Sequence, residues 1–368
     1  MYFECKSNSN SFSIEIKNTE EITRLDGISA CIRSTIRAFG DAIKKFFGMM
    51  KMKKGAYGPD DDLVDYILGI TFEIWEERGI ELIDEYYGPQ TVVFALDGIT
   101  RGSAAMIDGT AAMLVAFPDR LLLGDDVIGK GDCHSGYSSH RVLSPMTNSG
   151  DSMFGPATGK QVRIMNMADC VVEEGVIVRE WLARDNLALV RQLGFDARDS
   201  ARLIKNRHST ELTEWFASET DRLNAPQIEA GVSYADVDSQ KLLQALWLSG
   251  DESLMDSAYH PYAVMHRSPV EIISGRSEIS RHYGRLRKAF ECSAASIDHT
   301  AEQPGRNGVD SVAVRWTVAG THVGDYLGIK ATGKPVLIMG VTHRRIVLGR
   351  IAVEWTVFDS LGVMAQLL

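Results

Sequence analysis

The sequence predicts an α+β fold laid down twice, and three observations carry this. Residues 150–193 and 324–367 align without a gap and share 17 of 44 residues, including Ala157-Thr158-Gly159-Lys160 with Ala331-Thr332-Gly333-Lys334 and Glu180-Trp181 with Glu354-Trp355. Identity of that kind over a fixed offset is an internal duplication. Each half also runs in the order helix, helix, then extended segments. The last segments of each half alternate with period two around a turn glycine, the pattern of an antiparallel hairpin. At 368 residues there is chain enough for two domains, each with its own core.

Residues 1–55 have no counterpart in the second half and read as an extension. Within it, the basic amphipathic run Ile32–Lys54 is either a surface or partner helix or a loosely docked tail. Asp60-Asp61-Asp62 then offers an N-cap to a helix whose apolar positions Leu63, Ile67, Ile70, Ile74 and Trp75 recur at helical spacing. Its twin begins at Asp238 and carries Leu242, Leu243, Leu246 and Trp247. A Tyr-x-Pro element follows each (Tyr87-Gly88-Pro89, Tyr259-His260-Pro261), then a short extended run, a turn at Gly102 or Gly275, and a second helix ending at Phe117 or Phe290. Further strands lead through Tyr137–Arg141 and Val312–Trp316 into the repeated block. In the first copy the block gives strands over Val162–Val172 and Val176–Arg184, and a helix capped by Asp185 and stopped at Gly194. Residues 196–234 read as a helical appendage and linker. The expected domains are therefore 56–195 and 235–368.

A net charge of -10 argues against nucleic acid and anionic membranes as partners, since both require a basic footprint. Cys5, Cys31, Cys133, Cys170 and Cys292 show neither a zinc-knuckle spacing nor a disulfide framework. No basic leader precedes an apolar run, and no stretch has the length of a membrane helix. The expectation is a soluble cytoplasmic protein that needs no metal or cofactor. The Ala-Thr-Gly-Lys elements are not phosphate loops, because the upstream glycines are missing and a strand follows.

The element order and the ending G-x-I-x-x-E-W…D…QL resemble the SnoaL-like polyketide cyclase and ester cyclase group of the nuclear transport factor 2-like superfamily. Its H-x-G-x-x-x-G-I-x-x-T-G signature is matched by His322–Gly333; in the first copy Asn148 stands at the place of His322. The resemblance covers residues 60–195 and 235–368. It implies two cone-shaped α+β barrels, each a curved antiparallel sheet wrapped on helices around a pocket. In ring-closing members the acid/base is an Asp two residues after a His in an H-W-D element of the last strand. Here that element reads Glu180-Trp181-Leu182 and Glu354-Trp355-Thr356, so the resemblance does not carry that catalytic Asp over.

The site expectations rest on hairpin register. With Glu174-Gly175 as a two-residue loop, Asp169 faces Glu180; with Leu348-Gly349, His343 faces Glu354. On a pocket face these pairs are acid/base dyads; on a solvent face they are ordinary cross-strand pairs, and a one-residue slip separates them. Arg141 and Arg315 match at one offset and could hold a substrate oxyanion or pair structurally. Tyr137 and His140 in the first copy, His266 and His322 in the second, and the aromatic walls Trp75 and Trp247 complete the substrate-binding candidates. The expected function is proton-transfer chemistry on a small organic molecule, as in an isomerase, dehydratase, cyclase or hydrolase; a non-catalytic binding protein is the alternative. The two domains are expected to pack as an intramolecular pseudo-dimer, with a homodimer left open.

Overall fold

The computed structural model describes residues 55–225, 233–234, 237–305 and 308–368. The extension, its basic run, Cys5, Cys31 and linker residues 226–232 lie outside them.

Helix α1 (Leu63–Thr71) starts where the sequence places it. The Asp62 carboxylate accepts from the amides of Val64 and Asp65, and a π-helical turn, Phe72–Glu76, extends the helix to Trp75. After the short α2 (Ile83–Tyr86) the chain forms β1 (Val92–Ala95), β2 (Gly98–Arg101) and α3 (Gly102–Ala116). Strand β2, which pairs with β1, stands where the sequence predicts only a turn. Four long strands follow: β3 (Leu123–Gly131), β4 (Ser135–Thr147), β5 (Gln161–Glu173) and β6 (Val176–Arg184). Helix α4 (Asn186–Leu193) closes the half, capped by Asp185 and ended by Gly194 at φ 86°.

Helices α5 (Ala197–Lys205) and α6 (Thr210–Asn224), and the two-residue strands β7 (Ser233–Tyr234) and β8 (Val237–Asp238), lead to the second half. There the pattern repeats as α7 (Ser239–Gln244), α8 (Glu252–Ala258), β9 (Tyr259–Ser268), β10 (Glu271–Ser274), α9 (Arg276–Ala289), β11 (Phe290–Gln303), β12 (Val309–His322), β13 (Pro335–Val347), β14 (Arg350–Phe358) and α10 (Ser360–Leu367). The strand orders are the same, β2-β1-β6-β5-β4-β3 and β10-β9-β14-β13-β12-β11. Each sheet is antiparallel except for one parallel pair, β1 with β6 and β9 with β14. Two six-stranded sheets, each wrapped on its helices, make an α+β cone per half. Among the described residues no helix is long and apolar enough to cross a membrane.

Helix α6 does not hang from the first half alone. Its Leu223 packs with Ala319 and Leu337 of the second sheet, while Trp215 packs on Phe94 of the first. Residues Gly55–Leu368 form one compact unit.

The hairpin loops form as the sequence requires. Glu174 and Gly175 have φ of 49° and 72°, Leu348 and Gly349 of 50° and 72°, and the first pair across the loop is Glu173 with Val176. Both loops therefore have the positive φ at both centres that matches strand twist. The register then slips. An extra residue in β6, Val178, and one in β14, Ala352, leave Val171 opposite Arg179 and Arg345 opposite Val353. These β-bulges correct the dyads: Glu180 faces Cys170 and Asp169 faces Trp181, while Glu354 faces Arg344 and His343 faces Trp355. Because side chains alternate, a slip of one residue sends Asp169 and His343 to the face opposite their expected glutamates.

Candidate active site

The concave face of the first sheet carries Ser138, His140 and Ser144 from β4, Asn166 and Cys170 from β5, and Glu180 and Arg184 from β6. Alternation on the strands and the register put them on one face. Helix α1 and its π turn cover this face with Leu63, Ile67, Ile70 and Ile74, and Trp75 packs edge-on to Tyr87.

Glu180 is buried and hydrogen-bonded to Tyr87 and Cys170. Burial raises its carboxyl to about 7, with Arg184 and the two hydrogen bonds pulling the other way. Burial, then the charge of Glu180, pushes the Tyr87 phenol well above its usual range, so it remains a donor. His140 is driven down to about 4, first by burial and then by His343, and is a neutral imidazole whose Nε2 has no partner. Asn166 Oδ1 is likewise buried without one. Arg120, from the loop before β3, donates to Ser144 Oγ at 3.2 Å and has no carboxylate partner among the described residues. Burial, then repulsion from Arg184 and Arg78, lowers it to about 10. Sequence reasoning missed Arg120, which has no regular element to mark its direction.

The second cone has the same frame and the opposite content. Glu354 is fully buried, accepts from Arg344 Nε at 3.0 Å and Tyr259 Oη at 2.8 Å, and its other oxygen accepts from Thr356 Oγ1 at 2.9 Å. Trp247, Trp316 and Phe358 pack against one another in the interior. Gly340 makes room for Trp316, since a Cβ there would stand 2.3 Å from the indole. At the constant offset of the repeat, Ser138, His140, Ser144 and Arg184 become Val312, Val314, Val318 and Phe358, and Cys170 becomes Arg344. Among the described residues no group of His, Cys, Asp and Glu stands close enough to hold a metal ion in either half.

The sequence profile of the SnoaL-like polyketide cyclase family matches residues 67–193 and again 237–367, well over half of the chain. The chain belongs to that family. Among solved structures, a SnoaL-like protein of Jannaschia sp. CCS1 is 16% identical, with 39% of this chain and 97% of that chain covered and a TM-score of 0.32. IdmH of Streptomyces antibioticus is 27% identical over 34% of this chain and 92% of its own, with a TM-score of 0.29. TsrD of Streptomyces laurentii is 24% identical over 37% and 97%, with a TM-score of 0.31. No curated protein matched the sequence.

Most other expected site residues of this tandem SnoaL-like chain lie on the outer faces of the two sheets, where the halves meet. Arg141 binds Asp125 at 2.7 Å and stacks 3.9 Å over Trp355 of the other half. Arg315 stacks 3.7 Å over Trp181. His343 Nε2 lies 2.8 Å from Ser139 Oγ and its Nδ1 3.0 Å from Asp126 Oδ2. The Ser139 hydroxyl donates to Asp169, which also accepts from Tyr137. The order Ser139-His343-Asp126 has the connectivity of a nucleophile triad, but Ser139 and His343 are wholly buried and the serine proton is directed at Asp169. It is a polar bond between sheets. His266 stacks on Trp355. His322, the signature histidine, contacts the Thr332 hydroxyl at 3.0 Å, as Asn148 accepts from the Thr158 amide at 2.9 Å; both brace the Ala-Thr-Gly-Lys turn. Of the expected binders, His140 joins Glu180 on the concave face of the first cone and Trp75 packs against Tyr87; Trp247 is core.

Proposed function

We propose that the protein is an acid/base enzyme acting on a small organic molecule in its first cone, with Glu180 as the proton-transfer group. The observation that carries this reading is a buried carboxyl raised to about 7, hydrogen-bonded to Tyr87 and Cys170 and sharing its sheet face with His140 and Asn166, while its twin Glu354 is neutralised by Arg344. A carboxylate near pKa 7 can take a proton at neutral pH and return it. The reading covers isomerase, dehydratase, cyclase and hydrolase chemistry alike. We propose also that the halves, 56–195 and 235–368, act as a built-in dimer in which the second stabilises the first.

The test is Glu180→Gln against a panel of carbonyl and hydroxy-acid substrates, with Glu354→Gln alongside. The expected result is a fall in kcat of about 10²-fold or more for Glu180→Gln, with ligand affinity kept. Wild-type turnover by Glu180→Gln would sink the proposal. Tight binding without turnover by the wild type would favour the receptor alternative.

A further inference from the structure

We propose that the cleft between the outer faces of the two sheets binds a planar organic anion of the aromatic carboxylate class. This cleft, of about 430 Å³, is lined by Lys130, Tyr137, Val171 and Trp181 of the first half and His299 and Arg315 of the second. That volume suits a small ligand. The Tyr137 and His299 rings stack on each other as one wall, and Trp181 with the Arg315 guanidinium on its face makes another. Flat walls and fixed cations are what a planar anion requires.

The related position across the tandem shows what the cleft lacks. There Arg141 lies on Trp355 as Arg315 lies on Trp181, but the residue paired with Arg141 across the strands is Asp126, whereas the one paired with Arg315 is His299. Asp126 binds Arg345 at 2.8 Å and Arg141 at 3.4 Å as well as His343, and Asp125 holds Arg141. That side is closed by matched charges. On the cleft side Val171 replaces Arg345, and His299, kept neutral by burial and by the nearby cations, has a buried Nδ1 without a partner. Lys130 is exposed and makes no ion pair among the described residues. Arg315 meets its carboxylates only at length, Asp169 at 3.6 Å and Asp298 at 3.5 Å. Lys130 and Arg315 thus line a cavity on this side, where the other side carries matched charges. The cleft needs neither Glu180 nor the first cone's interior.

Calorimetric titration of the full chain with 2-naphthoate and with 2-naphthamide tests this. The acid is expected to bind at least tenfold more tightly than the amide, Lys130→Glu and Arg315→Gln to weaken it tenfold or more, and Glu180→Gln to leave it unchanged. If Arg315→Gln does not fold, Lys130→Glu decides, because Lys130 is exposed. Equal affinity for acid and amide, no binding, or binding indifferent to Lys130→Glu would each overturn the proposal. So would loss of binding in Glu180→Gln, which would place the ligand in the cone.

Discussion

At the scale of single residues, Glu180 keeps its proton to about pH 7 because burial is opposed only by hydrogen bonds and by Arg184, whereas Glu354 lies against a guanidinium at 3.0 Å. The sign of the pH effect follows. Between about pH 4.5 and 7 the folded chain holds a proton on Glu180 that the unfolded chain has released, so stability falls as pH rises through that window, by up to about 3 kcal/mol. Glu180→Gln should therefore match the wild type near pH 4 and exceed it by up to that amount at pH 8, as read from urea midpoints. The same carboxyl, acting as a base, should make kcat/KM rise with pH to a plateau above 7, and the variant should lose the bend. In the second cone, Glu354→Gln leaves a buried guanidinium without its counter-charge and should cost about 3 kcal/mol. Adding Arg344→Met to Glu354→Gln should recover most of it. Two glutamates at one offset were legible in the sequence; their different fates turn on Arg344 for Cys170, which the sequence also prints but which gains meaning only once the register is known.

At the scale of elements, caps and loops were legible because they depend on neighbours in the chain. Asp62, Asp185 and Asp238 cap the helices they precede, and the two-residue loops sit where Gly175 and Gly349 stand. The bulges at Val178 and Ala352 were not, because an extra residue in a curved sheet is set by the helices the sheet wraps and leaves no compositional mark. That one residue moved Asp169 and His343 from the expected pocket face to the junction between halves. The first position of the second loop offers a test of the turn itself. Leu348 is 95% exposed at φ 50°, a conformation that costs a branched residue more than asparagine. Leu348→Asn should stabilise the protein by about 0.5–1 kcal/mol, seen as a higher thermal midpoint, and an unchanged or lower midpoint would count against the loop assignment.

At the scale of the whole molecule, duplication was legible as repetition, but which faces meet was not, since no pattern in one strand tells an inner face from an outer one when both are buried. Asp126 shows how tightly the faces are joined. Burial alone would raise its carboxyl, but the hydrogen bond and charge of His343, then Arg345 and Arg141, hold it well below the usual carboxylate range. A carboxyl held low stabilises the fold above its unfolded value, near pH 4, and that contribution is lost as pH falls further. Asp126→Asn should cost about 2 kcal/mol at pH 7, and the gap to the wild type should close towards pH 2. If the two halves are energetically one unit, the loss will not stay where the mutation is. Amide exchange in β5 of the first half and β13 of the second should quicken by a common factor of about thirty, because both open only in the same global event. Faster exchange confined to one half would mean that the halves unfold separately, and the built-in dimer would have to be abandoned even though Arg141, His343 and Trp355 meet across it.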